Sequence, residues 1–207
     1  MPDTHHAYEH LQGIYFPIAI AVFGVVCLGV AALLIGGARR SRATGRSDML
    51  PLEILYASGL AAVVAFLVWS TFGAETPVDR IVAKPALRIQ VTAGQWSWRF
   101  RYPNGITVAA VATWHPAVAL VPTGSPVEFD GISEDVIHGF WVPQLRFQRQ
   151  LLPGHVTRFD LIFNDEGLYG GVCSVYCGDQ HTEMHFELEA VSPQVFGEWL
   201  ARERRAT

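Results

Sequence analysis

Cys173, Cys177, His181 and Met184 fall within twelve residues, in the stretch Cys173-Ser174-Val175-Tyr176-Cys177-Gly178-Asp179-Gln180-His181-Thr182-Glu183-Met184. Two thiols, an imidazole and a thioether are the donor types that suit copper. Thiolates can bridge two metal ions, so two closely spaced cysteines can hold a pair of coppers. Other chemistries use parts of the same set. A disulfide between Cys173 and Cys177 would suit an oxidising compartment, but it leaves His181 and Met184 without a role. Zinc sites favour shorter cysteine spacing and a second Cys/His pair, and they do not use Met. A single blue copper centre needs one Cys with His and Met, so the second Cys would be surplus. The third cysteine, Cys27, lies in an apolar run and reads as a small packing residue.

The elements that must position these donors look like short strands. Residues 87–91 alternate in polarity, and Trp96, Trp98, Phe100 and Tyr102 share one face of a period-two pattern. Pro103-Asn104-Gly105 is a turn signal. Residues 106–112, 127–130, 156–163 and 183–191 are further strand candidates, punctuated by Pro116, Pro122, Gly124, Gly131, Pro153 and Gly154. Such a pattern predicts an all-β Greek-key sandwich or barrel. A C-terminal amphipathic helix follows. Ser192 caps it, Pro193 takes its first position, and Val195, Phe196, Trp199 and Leu200 form its apolar face.

Ahead of the β region, residues 11–38 and 54–74 contain no charged side chain. Spanning a bilayer takes roughly 20 apolar residues, and both runs qualify. A cleaved signal peptide needs a basic start and a shorter apolar run; residues 1–10 carry Asp3 and Glu9 and no Lys or Arg. The organisation expected is therefore a two-helix transmembrane hairpin at 1–74, a linker at 75–86 and a copper domain at 87–207. Arg39, Arg40, Arg42 and Arg46, opposed only by Asp48, lie between the two runs. Basic loops stay cytoplasmic, so the β domain is expected on the periplasmic or equivalent exterior side of a cell membrane.

Charge is uneven along the β region. Residues 128–189 hold eleven acids and three bases, whereas residues 75–127 hold two acids and five bases. A concentration of acid near the cysteines favours a basic docking partner, because complementary fields accelerate encounter. Asp135 and Asp179, which lie close in sequence to the candidate ligands, are the expected docking carboxylates.

With Asp135-Val136-Ile137-His138-Gly139-Phe140-Trp141-Val142-Pro143 ahead of it, the Cys-x-x-x-Cys-x-x-x-His-x-x-Met pattern resembles the binuclear copper motif of cytochrome c oxidase subunit II. The resemblance covers nearly the whole chain: two membrane helices, the Gln95-Trp96-Ser97-Trp98 strand, an isolated His, the Pro153-Gly154 turn and the Cys/His/Met loop follow the family's order. It implies a membrane-anchored, cupredoxin-like Greek-key β-barrel carrying two copper ions. Cys173 and Cys177 would bridge both ions. His138 and Met184 would complete one, and His181 with the main-chain carbonyl of Val175 the other. Many members have Glu at the Val175 position, where its carboxylate helps hold magnesium. Valine keeps the carbonyl only, which puts a magnesium site in doubt. His185, His115, His155, His5, His6 and His10 read as surface or packing residues.

The same resemblance makes Trp96 the electron-receiving residue beside a docked c-type cytochrome. It makes Glu53 a carboxylate at the entrance of a proton path. Electrons would pass from the cytochrome to the copper pair and then to haem held by subunit I, with subunit III a further partner and no nucleic acid involved. This subunit would belong to an oxidoreductase complex without performing bond chemistry alone. The copper subunit of a nitric oxide reductase shares the motif. A quinol oxidase subunit II shares the fold without the ligands. A membrane-tethered copper carrier is a reading from a different class and would need an exchangeable site.

Overall fold

The computed structural model describes residues 4–37, 50–111 and 116–206; Arg39, Arg40, Arg42, Arg46, Asp48 and His115 lie outside the described residues. The chain divides into two units, residues 6–76 and residues 77–207 with the first five.

The first unit is built from helices α1 (Thr4–Gly37) and α2 (Leu50–Val78), both long and apolar enough to cross a bilayer. Most of their described apolar side chains are exposed. Phe23, Leu28 and Leu33 are 71%, 72% and 75% exposed, which in water would leave a large apolar patch and in lipid would not. The Tyr15 hydroxyl donates to the Leu67 carbonyl at 3.0 Å, joining the two helices. Glu53 stands exposed in the first turn of α2. The helix continues through Pro77 to Val78, so the connecting segment seen in the structure is residues 79–86.

Among the described residues, the second unit is a β domain of ten strands and a C-terminal helix. One sheet contains β1 (Leu87–Gly94), β2 (Ser97–Arg101), β3 (Thr107–Val111), β5 (Val127–Ser133) and β8 (Thr157–Leu161), in the order β3-β2-β1-β5-β8. The other contains β4 (Ala117–Pro122), β6 (His138–Val142), β7 (Phe147–Leu151), β9 (Gly167–Cys173) and β10 (His185–Val191), in the order β4-β10-β9-β6-β7. Two pairings are parallel, β1 with β5 and β4 with β10. Both join strands distant in sequence, which is what crossing Greek-key connections produce. The cupredoxin-like architecture is thus present as two separate five-stranded sheets and not as a closed hydrogen-bonded ring.

Alternating side chains from both sheets make the core. Ile89, Val91, Trp98, Phe100, Phe129, Phe140, Phe186 and Leu188 are all essentially inaccessible. Trp98 meets Phe186 edge-on at 4.9 Å, and Phe140 stacks on Phe186 at 4.6 Å. Such aromatic contacts add to the area they bury. The expected core face of Trp98, Phe100 and Tyr102 is observed, and Tyr102 donates from its hydroxyl to the Leu120 carbonyl at 2.8 Å. Helix α3 (Pro193–Ala206) starts where the sequence indicates, with Ser192 Oγ accepting from the Val195 amide at 3.4 Å. Phe196 and Trp199 bury against Tyr102, while Val195 stays exposed.

Candidate metal centre

Three strand ends and one loop meet at one end of the β domain. β6 begins at His138, β9 ends at Cys173, and β10 begins just after Met184. In the antiparallel β6–β9 pair, Phe140 lies opposite Cys173, which puts His138 beside the start of the cysteine loop. The loop is closed by backbone bonds: the Cys173 amide donates to the Met184 carbonyl and the Ser174 amide to the Gly139 carbonyl, each at 3.0 Å. A short 3-10 turn at His181–Glu183 returns the chain toward β10. Gly139 allows the close approach. A Cβ there would stand 2.2 Å from Ser174 Oγ and 2.9 Å from the Val175 amide nitrogen.

The sequence-predicted ligands are brought together. The two sulfurs are 3.7 Å apart, Cys173 Sγ is 3.8 Å from His138 Nδ1, and Cys177 Sγ is 3.6 Å from His181 Nδ1. Met184 Sδ lies 3.9 Å from Cys177 Sγ, and the Val175 carbonyl oxygen 3.2 Å from Cys173 Sγ. Both cysteines are free thiols and not a disulfide. His138, Cys173 and Cys177 form a group that could hold a metal ion. Cys173, Cys177, Met184 and His138 are buried, at 5%, 4%, 1% and 0% exposure, and His181 is half-buried. A soft, desolvated cluster of two sulfurs, a thioether and two imidazole nitrogens fits copper better than a hard cation.

The electrostatics also call for a cation. Burial raises the Cys173 thiol, but the His138 imidazole and the backbone at Gly139 outweigh it and bring the group down to about 6. Burial and the negative charge of Cys173 push Cys177 up to about 12. The cluster left to itself therefore accommodates one thiolate; a second negative charge at this distance needs positive charge between the sulfurs.

Asp135 is placed differently from the sequence expectation. Its Oδ1 is 2.8 Å from His138 Nε2, and it also accepts from the Val136 amide at 2.6 Å. Its Oδ2 accepts from the Gln95 amide at 2.6 Å. Burial disfavours the Asp135 charge, but the His138 hydrogen bond and these amides hold its carboxyl below the ordinary value. Asp135 is therefore hydrogen-bonded to the candidate ligand His138 while staying exposed at the surface. Sequence reading missed this role, although the i,i+3 spacing to His138 was its available signal. Other acids in the 128–189 stretch are paired as well: Glu128 with Arg88, Asp130 with Arg158 and Glu134 with Arg99. Asp179, like Asp135, is exposed.

Trp96 sits in the turn between β1 and β2, half-buried against the cysteine loop. Gly178 has φ +121, and a Cβ on it would stand 3.0 Å from Trp96 Cζ2. Gln95 Nε2 donates to the Cys177 carbonyl at 2.7 Å. The Trp96 indole N–H is buried without a partner among the described residues. Trp98 instead lies within the core, donating from Nε1 to the Met184 carbonyl at 3.2 Å. Tyr176, between the two cysteines, is exposed, and its ring stands edge-on to His181 at 5.8 Å.

Residues 115–191 match the family described as cytochrome C oxidase subunit II, periplasmic domain. This matched segment, which lies within the β domain, is thus similar to that family. A probable cytochrome c oxidase subunit 2 of Nocardia farcinica is 30% identical over 76% of this chain and 59% of the relative. A cytochrome bo(3) ubiquinol oxidase subunit 2 of Pseudomonas aeruginosa is 34% identical, over 70% of this chain and 43% of the relative. The chain spans about three fifths of the length of the first of these subunits. In fold, the β domain is similar to the crystal structure of the periplasmic domain of subunit II of cytochrome oxidase of Bradyrhizobium japonicum. That likeness has a TM-score of 0.55 at 24% identity and covers 61% of this chain and 99% of the solved one.

Removing the outer partner of a ligand imidazole typically costs about 10–100-fold in metal affinity. Asp135→Ala is expected to lower copper affinity in that range. Asp179→Ala is expected to leave it unchanged. Competition with a chelator of known affinity measures both.

Proposed function

We propose that this chain is the electron-receiving subunit of a terminal cytochrome c oxidase, holding a pair of coppers in the cysteine loop. The observation that carries the proposal is the convergence of four further donors on two buried, unoxidised thiols 3.7 Å apart. In this reading Cys173 and Cys177 bridge the pair. His138 and Met184 serve one ion, and His181 and the Val175 carbonyl the other. When bound, the pair supplies reversible one-electron storage. The chain's own residues hold the donors in place: strand ends fix His138 and Cys173, the 3-10 turn fixes His181, and Asp135 orients the His138 ring. A site whose donors move little between charge states opposes electron transfer least. Val175 offers no carboxylate, so magnesium is not part of the proposal.

Burial of the donors supports a fixed centre over an exchangeable copper carrier. The intact donor set also separates this chain from the quinol-oxidase reading, which needs no copper ligands. The electron donor proposed is a c-type cytochrome. The recipient is haem in a partner catalytic subunit, with subunit III completing the assembly. Trp96 is the proposed point of electron uptake, because it packs on Gly178 next to Cys177. Glu53, exposed at the start of α2, retains only its resemblance to a proton-path carboxylate. Two spans with a basic connection put the copper domain on the exterior face.

Three outcomes are expected. After copper reconstitution, the purified chain carries two coppers per polypeptide and a delocalised mixed-valence electron-spin signal; one copper, or zinc alone, refutes the paired centre. A reporter fused after Thr207 is active only outside the cytoplasm, and one fused at Ser47 only inside; the reverse pattern overturns the orientation. In stopped-flow oxidation of a reduced c-type cytochrome by the assembled complex, Trp96→Ala slows electron uptake at least tenfold while the copper spectrum is kept. An unchanged rate would make Trp96 a packing residue only.

A further inference from the structure

On the outward face of the β3-β2-β1-β5-β8 sheet, far from the cysteine loop in sequence, a row of charge runs from an exposed guanidinium to two buried carboxylates. Arg88 lies opposite Glu128 in the parallel β1–β5 register, and Glu128 lies opposite Asp160 in the antiparallel β5–β8 register. The three side chains therefore cross three neighbouring strands on one face. Directly opposed residues have Cβ atoms about 4.5–5.5 Å apart. Although this face points away from the core, Glu128 and Asp160 are each only 1% exposed. The segment joining α2 to β1 packs onto them. The Val82 amide donates to Asp160 Oδ2 at 2.5 Å, and the Ala86 amide to the Pro126 carbonyl at 3.0 Å.

The row does not balance as ions. Arg88 Nε is 2.5 Å from Glu128 Oε1 and 3.9 Å from Asp130, and Arg158 Nε is 2.9 Å from Asp130. Two guanidinium groups thus face three carboxylates. Among the described residues no basic group stands within ion-pair distance of Asp160, Arg88 acting on it only at longer range, and its Oδ1 is buried without a hydrogen-bond partner. In the covering segment, Asp79 pairs with Arg149, whereas Arg80 and Lys84 are exposed. An uncompensated buried carboxylate beside a second one costs several kcal/mol, and taking up a proton removes that cost.

We propose that Asp160 binds a proton shared with Glu128 across the β5–β8 pair, and that this protonated pair is the latch holding residues 79–86 on the domain. The proton comes from solvent and turns the Asp160 carboxylate into a carboxylic acid whose O–H faces Glu128. Oδ2 stays free to accept from Val82. Burial raises the Asp160 carboxyl above its ordinary value, with the Glu128 charge adding to it and the Val82 and Arg88 contacts opposing. The sign follows. The folded chain holds a proton that the unfolded or opened segment releases, so the latch is complete below the ordinary carboxyl pKa of about 4. It weakens as pH rises through the higher folded value.

The test uses the full chain in detergent. As pH is raised past the range in which ordinary carboxyls ionise, the infrared band of a protonated carboxylic acid is expected to persist longer in the wild type and to be absent in Asp160→Asn. The hydrogen-exchange protection factor of the Val82 amide should fall up to about tenfold per pH unit above that group's pKa, while that of Val91 in β1 stays constant. In Asp160→Asn the Val82 protection should not vary with pH. If Asp160→Asn does not fold, Glu128→Gln decides: losing the facing charge should move the midpoint of the carboxyl band to lower pH. A band common to wild type and Asp160→Asn, an unmoved midpoint in Glu128→Gln, or Val82 protection independent of pH in the wild type overturns the proposal. So does loss of the band on adding millimolar calcium, which would make the pair a cation site.

Discussion

Two sulfurs 3.7 Å apart inside a protein are a constraint that everything around them must satisfy. As thiols in an oxidising space they would tend to join; as two thiolates they would repel. The geometry admits neither freely. The Cys173 thiol is drawn down to about 6 by contacts that outweigh its burial, while burial and the Cys173 charge hold Cys177 up at about 12. Each of the other donors completes what this pair lacks. His138 and His181 bring imidazole nitrogen to one sulfur each, Met184 adds a soft neutral donor, and the Val175 carbonyl faces Cys173. Gly139 is required because the loop that presents the pair passes over it at a distance no Cβ tolerates.

The parallel β1–β5 pair translates this local demand into architecture. Its register sets Ala93 beside Ser133, so the β1–β2 turn emerges next to the loop that leads into His138. That single register makes Gln95 and Asp135 neighbours and lets one carboxylate serve both the Gln95 amide and the His138 ring. The same pairing rearranges the charge seen along the chain. The basic 75–127 segment and the acidic 128–189 segment become adjacent strands, and Arg88 and Arg99 neutralise Glu128 and Glu134. Part of the acid-rich stretch is thereby paired, while Asp165, Glu166, Asp179 and Glu183 remain exposed. Fold topology decides how much of it remains available to a partner.

Cys173, Cys177, His181 and Met184 were legible as donors from their spacing, because those types at those intervals leave few alternative chemistries, whereas His138 and the Val175 carbonyl came only with the family resemblance. The spans were legible from the absence of charge, and α3 from its Ser-Pro start and apolar face. Four strands were not. β4 is a continuous apolar run with no alternation, and β6 is short and buried on both faces except at Trp141. β7 carries Gln148, Arg149 and Gln150 in its centre, and β9 contains three glycines, a residue depleted from strands. β9 tolerates them because Gly171 must admit the Phe186 ring, which a Cβ would meet at 2.1 Å. This is a packing requirement set from another strand and invisible in local propensity. The burial of Glu128 and Asp160 was hidden for a related reason: it is defined by cross-strand neighbours dozens of residues away.

Strand β1 is where these long-range relations meet. It carries Arg88, tied to the buried acid row, near its start, and it leads into Gln95, tied to Asp135, just beyond its end. At about 3.3 Å per residue these two anchor points lie roughly 23 Å apart, with Ile89, Val91 and Ala93 fully buried between them. Those core side chains give the strand no free direction in which to slide. A one-residue slip would turn Arg88 into the core and Ile89 out of it, and it would also separate Gln95 from Asp135. The hydrophobic alternation of one eight-residue strand therefore fixes two polar arrangements at once. The ionic row at one end and the imidazole-orienting carboxylate at the other are consequences of the same register.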